Sequence, residues 1–303
     1  FSQYMFQGIL QNPAFMNQPD HVDVALFYRS QWQQMPGSPE TSGAAFNMPF
    51  AREQGSAGAS ILQTRIGASS RMLANFTYQW RFQPDKHSVV SLALSAGVAQ
   101  FRLDTDQLVL YDDISLDDVL RGASNSTVLP DFGFGALYQR KNTAIGFSVR
   151  HLLPNEANFN PPQGRVAENE FNSLRRHFYL TASQRLKASE MVEVVPSALV
   201  KMVPGSPVQT DLSLLAIWNK LFWGGLAWRS GDALTVLTGV SVSAFNNSTR
   251  FRLGYAFDYT ASGLNAFNQG SHEIMLTASF FIGDLIPCPR DKRELKTFEQ
   301  LTF

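Results

Sequence analysis

Five histidines, one cysteine and one cluster of carboxylates are the residues of this 303-residue chain that could do chemistry. His21, His87, His151, His177 and His272 show none of the short spacings that place two imidazoles on one metal, and they fall on different predicted strands. Asp112, Asp113, Asp117 and Asp118 are dense enough to attract calcium, but no glycine-turned hand loop goes with them, and a solvated loop face is the preferred reading. Ser148 and His151 share a predicted strand but stand on opposite faces of it, so they do not make a nucleophile and base. There is no Gly-x-Ser-x-Gly elbow, no His-Glu-x-x-His and no glycine-rich phosphate loop. Cys288 stands alone, so no internal disulfide can form, and a bystander thiol is expected. The expectation is a protein without catalytic residues, metal or cofactor.

The elements that carry these residues are strands. Lys plus Arg and Asp plus Glu balance at 25 each, which gives no reason to expect a nucleic-acid partner. Hydrophobic residues make up 44% and charged ones 17%, below the roughly 25% charged of an ordinary soluble domain. No stretch approaches the ~20 apolar residues of a spanning helix, yet a barrel strand needs only ~10 alternating ones. In residues 272–281, Ile274, Leu276, Ala278 and Phe280 point one way and Glu273, Met275, Thr277 and Ser279 the other. The same alternation recurs from Val22 onward. It is clear in Ala74, Phe76, Tyr78, Trp80 and Phe82, and again in Phe251, Leu253, Tyr255, Phe257 and Tyr259. Phe101 and Leu103 occupy the other parity of their strand, which predicts a bulge near Gln100.

About fourteen strands can be placed, and their connections sort by parity. Those after odd-numbered strands include the long ones, at 105–130, 153–173 and 260–270; those after even-numbered strands are all short. Short turns on one rim and long loops on the other are what an outer-membrane barrel requires, whereas a soluble sandwich has no reason to sort its loops this way. The fold expected is an all-β transmembrane barrel over 21–283, in contact with the outer-membrane bilayer. An irregular segment, 1–20, precedes it and a tail, 284–303, follows. The chain opens at Phe1 without a charged-then-apolar leader and is read as the processed form of an exported protein. Inward positions include Arg29, Arg81, Arg150, Arg185, Lys201, Arg229, Arg250 and Arg252 with Asp131, Glu193, Asp211 and Asp258, a lumen of both signs laced by salt bridges. So wide an interior needs filling. The segment bearing Phe1, Tyr4, Phe6, Asn12, Pro13 and Phe15 is the candidate plug. Tyr28, Trp32, Trp80, Tyr138, Trp218, Trp228, Tyr255 and Tyr259 sit toward strand ends, as interfacial rings do.

Three blocks resemble a known family. Phe1-Ser2-Gln3-Tyr4-Met5-Phe6, Asn12-Pro13-Ala14-Phe15 and Tyr28-Arg29-Ser30-Gln31-Trp32 look like the opening of the PorP/SprF-like proteins of Bacteroidota. His151-Leu152 with Pro154-Asn155, His272-Glu273-Ile274 and Cys288-Pro289-Arg290 extend the likeness almost end to end. Gly8-Ile9-Leu10-Gln11 departs from the usual Asn-rich spacer, and residues 291–303 run on past the usual end. The resemblance implies an outer-membrane component of the type IX secretion system. Such a protein would bind and anchor secreted cargo, recognising an adhesin's C-terminal domain, with gliding adhesins among the candidates. It could also join the periplasmic ring and lipoproteins of the machine. Asp112, Asp113, Asp117, Asp118, Asn155, Asn158, Phe159, Asn265 and Phe267, on the long outer loops, are the candidate contacts for that cargo. The tail, with Arg290-Asp291-Lys292-Arg293, is the candidate contact for a periplasmic partner. The alternative is a FadL-like channel for hydrophobic solutes, whose N-terminal segment forms a hatch.

Overall fold

The computed structural model describes residues 1–16, 21–50, 55–104, 126–156, 173–245 and 248–282. A lead-in containing one helical turn, α1 (Gly8–Gln11), precedes β1 (His21–Ser30), β2 (Glu40–Phe50), β3 (Gly55–Ile66), β4 (Ser69–Asp85), β5 (Ser88–Leu103), β6 (Ser126–Arg140) and β7 (Thr143–Arg150). A two-residue ladder, β8 (Asn155–Glu156) with β9 (Ser173–Leu174), lies in the next loop. The wall resumes with β10 (His177–Gln184), β11 (Leu186–Lys187), β12 (Val192–Met202), β13 (Gln209–Trp218) and β14 (Phe222–Arg229). It ends with β15 (Ala233–Ala244), β16 (Thr249–Thr260) and β17 (Ser271–Phe281).

Each wall strand pairs antiparallel with its chain neighbour, and β1 also pairs with β17, from His21 opposite Phe281 to Ser30 opposite His272. β10 pairs with both β7 and β12, which closes the ring and leaves no exposed edge. β10 and β11 hold one register on β12, with Ser183 opposite Ser197 and Leu186 opposite Val194, so they are one stave and the barrel has fourteen. The break between them, at Arg185, falls opposite Val195 and next to Pro196, which has no N–H to give to the ladder.

The alternation read from the sequence divides outside from inside. Leu26, Phe76, Leu94, Leu226, Leu253 and Leu276 are between 45% and 66% exposed, while Arg29, Asp131, Asp211, Arg229, Asp258 and Glu273 are buried. A fold made for water has this the other way round. An apolar exterior over a charged interior suits a lipid bilayer. Exposed rings mark both rims: Tyr28, Trp228 and Tyr259 near the loop ends of their strands, and Tyr138 and Trp218 near the turn ends. Leu253, midway along β16, is therefore expected to tolerate alanine but not arginine. Leu253→Arg should cost about 2–4 kcal/mol in urea unfolding from lipid vesicles. Equal stability of the arginine and alanine variants would contradict a lipid-facing position.

No bulge is present near Gln100. β5 keeps unbroken register with β4 through Leu103 and with β6 through Arg102, and the irregularity in β4–β5 pairing falls between Phe82 and Asp85, around Pro84. Phe101 faces inward, 3% exposed, packed with Leu73, Ala99 and Leu174. The apparent change of phase records a change in what the luminal face meets. At the loop end of β5 it meets the apolar side chain of Leu174, carried in by the β8–β9 ladder, instead of polar contents. The strand ends that bound the connections 31–39, 104–125, 151–176 and 261–270 lie on one rim, and those that bound turns as short as 86–87 and 141–142 lie on the other.

Candidate functional site

The lumen is occupied by the chain's own first residues, and polar chemistry holds them there. The backbone N–H groups of Ser2 and Gln3 donate to the Glu273 carboxylate at 2.8 and 3.0 Å. The Ser2 hydroxyl donates to Asp258 at 2.7 Å and accepts from Arg29 at 2.9 Å and Arg229 at 3.0 Å. Arg29 in turn bridges Asp258 at 2.6 Å and Glu273 at 2.8 Å, with all three side chains at most 5% exposed. Arg229 reaches Asp211 and Asp232, and Lys201 meets Asp211 at 2.7 Å. Every charge in this latch has an opposite partner, which is the condition for keeping charges out of water. It lies near the loop-side rim, since Arg29, Arg229 and Asp258 are close to the ends of their strands and Glu273 close to the start of β17.

From the latch the segment descends and crosses the barrel. Phe1 packs edge-on against Phe27, and Phe6 lies 4.9 Å from the Trp223 ring. The Tyr4 hydroxyl is 3.1 Å from both Ser197 and Ser213. Burial pushes the Tyr4 phenol above its ordinary value, so it remains a neutral hydrogen-bonding group. After α1, Asn12 closes a turn by accepting the N–H of Ala14 at 2.9 Å, with Pro13 buried between them. The Asn12 amide donates to the Ala136 carbonyl, Ser148 donates to Gln11, and Gln79 donates to Ala14. Phe15 packs on the cluster of Ala14, Ala93, Leu137 and Ala144. The segment thus spans from the β16–β17–β1 wall to the β4–β6–β7 wall. Two wall glycines make room for it. A Cβ at Gly135 would strike Asn12, Pro13 and Ala14, and one at Gly254 would strike Gln3.

A second inward cluster stands at the loop end of β6 and β7. His151 meets Asp131 at 2.8 Å, and Arg150 donates to Ser95 at 3.3 Å. The sequence places Ser148 and His151 on opposite faces; a φ of 55° at His151 instead turns its ring to the inward-facing Asp131. Ser148 bonds Gln11, so the two still form no nucleophile–base pair. His151, just after β7, and His177, at the start of β10, come within 5.4 Å ring to ring. Among the described residues no three His, Cys, Asp or Glu side chains gather to hold a metal.

Of the candidate plug residues, Phe1, Tyr4, Phe6, Asn12 and Phe15 touch inward-facing wall residues, and Pro13 is buried. Sequence reasoning missed Ser2, Gln3 and Glu273, although the inward parity of Glu273, shared with Arg29, was there to read. The candidate loop contacts are scattered. Asn265 donates to the Tyr259 hydroxyl at 3.0 Å and Phe267 is 71% exposed, both on the 3-10 turn Gly263–Phe267. Asn155 belongs to the β8–β9 ladder. Asp112, Asp113, Asp117, Asp118, Asn158 and Phe159 lie outside the described residues, as do Cys288 and the tail from 283.

An apolar exterior, a closed ring of fourteen staves and a charged interior define an outer-membrane β-barrel. Solved structures of this shape include the Ralstonia pickettii toluene transporter TbuX, at 11% identity and TM-score 0.56 over 91% of this chain and 94% of that one. The Pseudomonas putida toluene transporter TodX matches at 11% identity and TM-score 0.54, over 91% and 93%. A Pseudomonas aeruginosa FadL homologue matches at 10% and 0.51, over 89% and 93%. Identities this low speak to fold alone. No curated protein sequence matches the chain. Residues 1–278 match the model of the type IX secretion system membrane protein PorP/SprF. The chain belongs to that family, which makes it an outer-membrane component of type IX secretion.

Proposed function

We propose that the protein anchors exported cargo at the cell surface, holding the C-terminal domain of a secreted adhesin on its long outer loops, and that its turn side meets the periplasmic ring or lipoproteins of the secretion machine. The observation that supports this reading is the filled lumen. A barrel whose interior is crossed by its own latched segment offers partners its rims instead of a passage, and the strand ends that bound the long connections lie on one rim. Family membership supplies the process in which such rims would work. Pull-down of the full chain from native outer membrane is expected to bring an adhesin C-terminal domain with it. Replacing the connections 104–125, 151–176 and 261–270 with unrelated loops should abolish that complex. Normal arrival of exported cargo at the surface of a deletion strain would overturn the proposal. Solute uptake by liposomes carrying the native chain would favour a FadL-like channel for hydrophobic compounds.

A further inference from the structure

Four arginines of the wall are buried: Arg29, Arg150, Arg229 and Arg252. The first three hold hydrogen bonds, Arg29 and Arg229 in the latch and Arg150 to Ser95. The guanidinium of Arg252, on a residue 9% exposed, makes no hydrogen bond or ion pair with any described residue. Arginine does not lose its proton in proteins, so it cannot escape burial by becoming neutral. A charge taken out of water without a hydrogen-bonded counter-charge is one of the least favourable arrangements a fold can contain.

Its surroundings act on it through space only, and no counter-charge is hydrogen-bonded to it among the described residues. Arg250 and Arg185 both act on Arg252 electrostatically, as does Asp23, and Arg185 is already engaged with Glu193 at 3.3 Å. Inward alternation puts Arg250 and Arg252 on the same face of β16. Their direct neighbours across both ladders are all hydroxyl residues: Ser243 and Ser279 beside Arg250, Ser241 and Thr277 beside Arg252. Thr277 is 7% exposed, and its hydroxyl is buried without a hydrogen-bond partner. Two directly paired residues, one cationic and one a hydroxyl donor, therefore lack hydrogen-bonded partners among the described residues at the same place. One group would satisfy both: an oxyanion accepting from the guanidinium and from the hydroxyl, in the charge-assisted geometry guanidinium favours. Arg252 lies three residues inside the turn-side end of β16, about 10 Å at strand rise, and Arg250 and Ser243, nearer the rim, are progressively more exposed. The way in is from the turn side.

We infer that the turn-side end of the lumen is a binding site for a small oxyanion, a carboxylate or a phosphate, held by Arg252 with Arg250 and the Thr277 hydroxyl. The site is independent of the cargo reading, because it is tested on the isolated chain. The full protein in detergent, at constant ionic strength with chloride as background, is titrated with inorganic phosphate and separately with a short glutamate-rich peptide, and binding is read by calorimetry and by the shift in thermal unfolding. Saturable binding of either probe is expected. Phosphate alone would identify a free-phosphate site, the peptide alone a carboxylate carried on a chain, and mutual competition one site open to both. Arg252→Gln should weaken binding roughly tenfold or more, the loss expected of a charged hydrogen-bond partner. Arg252→Lys should keep part of the affinity, and Arg102→Gln, at the opposite end of the wall, all of it. Thr277→Val gives a second reading should Arg252→Gln fail to fold. Absence of saturable binding by both probes would overturn the inference, as would unchanged affinity in Arg252→Gln, or in both Arg252→Lys and Thr277→Val.

Discussion

Glu273→Ala is expected to destabilise the barrel by about 3–5 kcal/mol. The reason lies in what remains behind. Glu273 is 1% exposed and takes a hydrogen bond from Arg29 at 2.8 Å and two from the backbone of Ser2 and Gln3. Truncation leaves Arg29 with half its counter-charge and two buried N–H groups without acceptors, and an orphaned buried polar group is costlier than the net gain from the bond it has lost. Glu273→Gln keeps an acceptor for the N–H groups and should lose less. Urea unfolding in lipid vesicles, followed by tryptophan fluorescence, orders the three proteins. A Glu273→Ala variant within about 0.5 kcal/mol of the native chain, the scatter of ordinary surface substitutions, would mean that the latch holds nothing in place.

Deletion of residues 1–16 is expected to convert a closed barrel into an open one. A ring of fourteen staves is too wide for its own side chains to fill, and in the native chain Phe6, Ile9, Asn12 and Phe15 occupy the space between facing walls. The wall has its own closure, β1 on β17 and β10 on β12, and does not need the segment to pair. In planar bilayers the native protein should show no channel steps and the deletion variant discrete ones, with both signs of luminal charge along the path. A variant that still migrates as a folded, heat-modifiable barrel on gels, yet conducts nothing, would show that other parts of the chain close the lumen. Glu273→Ala should show a weaker form of the same leak, because it loosens the upper end of the segment while the Asn12 turn stays seated on Ala136.

Much of this architecture is legible in the residues. Strand positions, facing and closure follow from period-two alternation, because lipid outside and polar contents inside impose opposite demands on neighbouring side chains. Alternation misleads where a face changes company. Phe101 breaks the polar pattern without breaking the ladder, since Leu174 from a distant loop packs against it. It also fails at His151, where a left-handed backbone overrides parity and turns the ring to Asp131. Asn12-Pro13-Ala14 reads as a turn in the sequence, but that the turn rests on a gap left by Gly135 is a fact about two segments more than a hundred residues apart.

By itself, then, the sequence determines a membrane barrel, its fourteen staves, the rim that carries its long loops and the family to which it belongs. Those are properties of local pattern, repeated along the chain. Which charge answers which is decided only by tertiary structure. Arg29, Asp258 and Glu273 become a latch, and Arg252 has no hydrogen-bonded partner among the described residues, according to register between strands and the path of one short segment through the lumen. Ion pairs act over a few ångströms, and distances that short are set by closure of the ring, which no local stretch of residues contains.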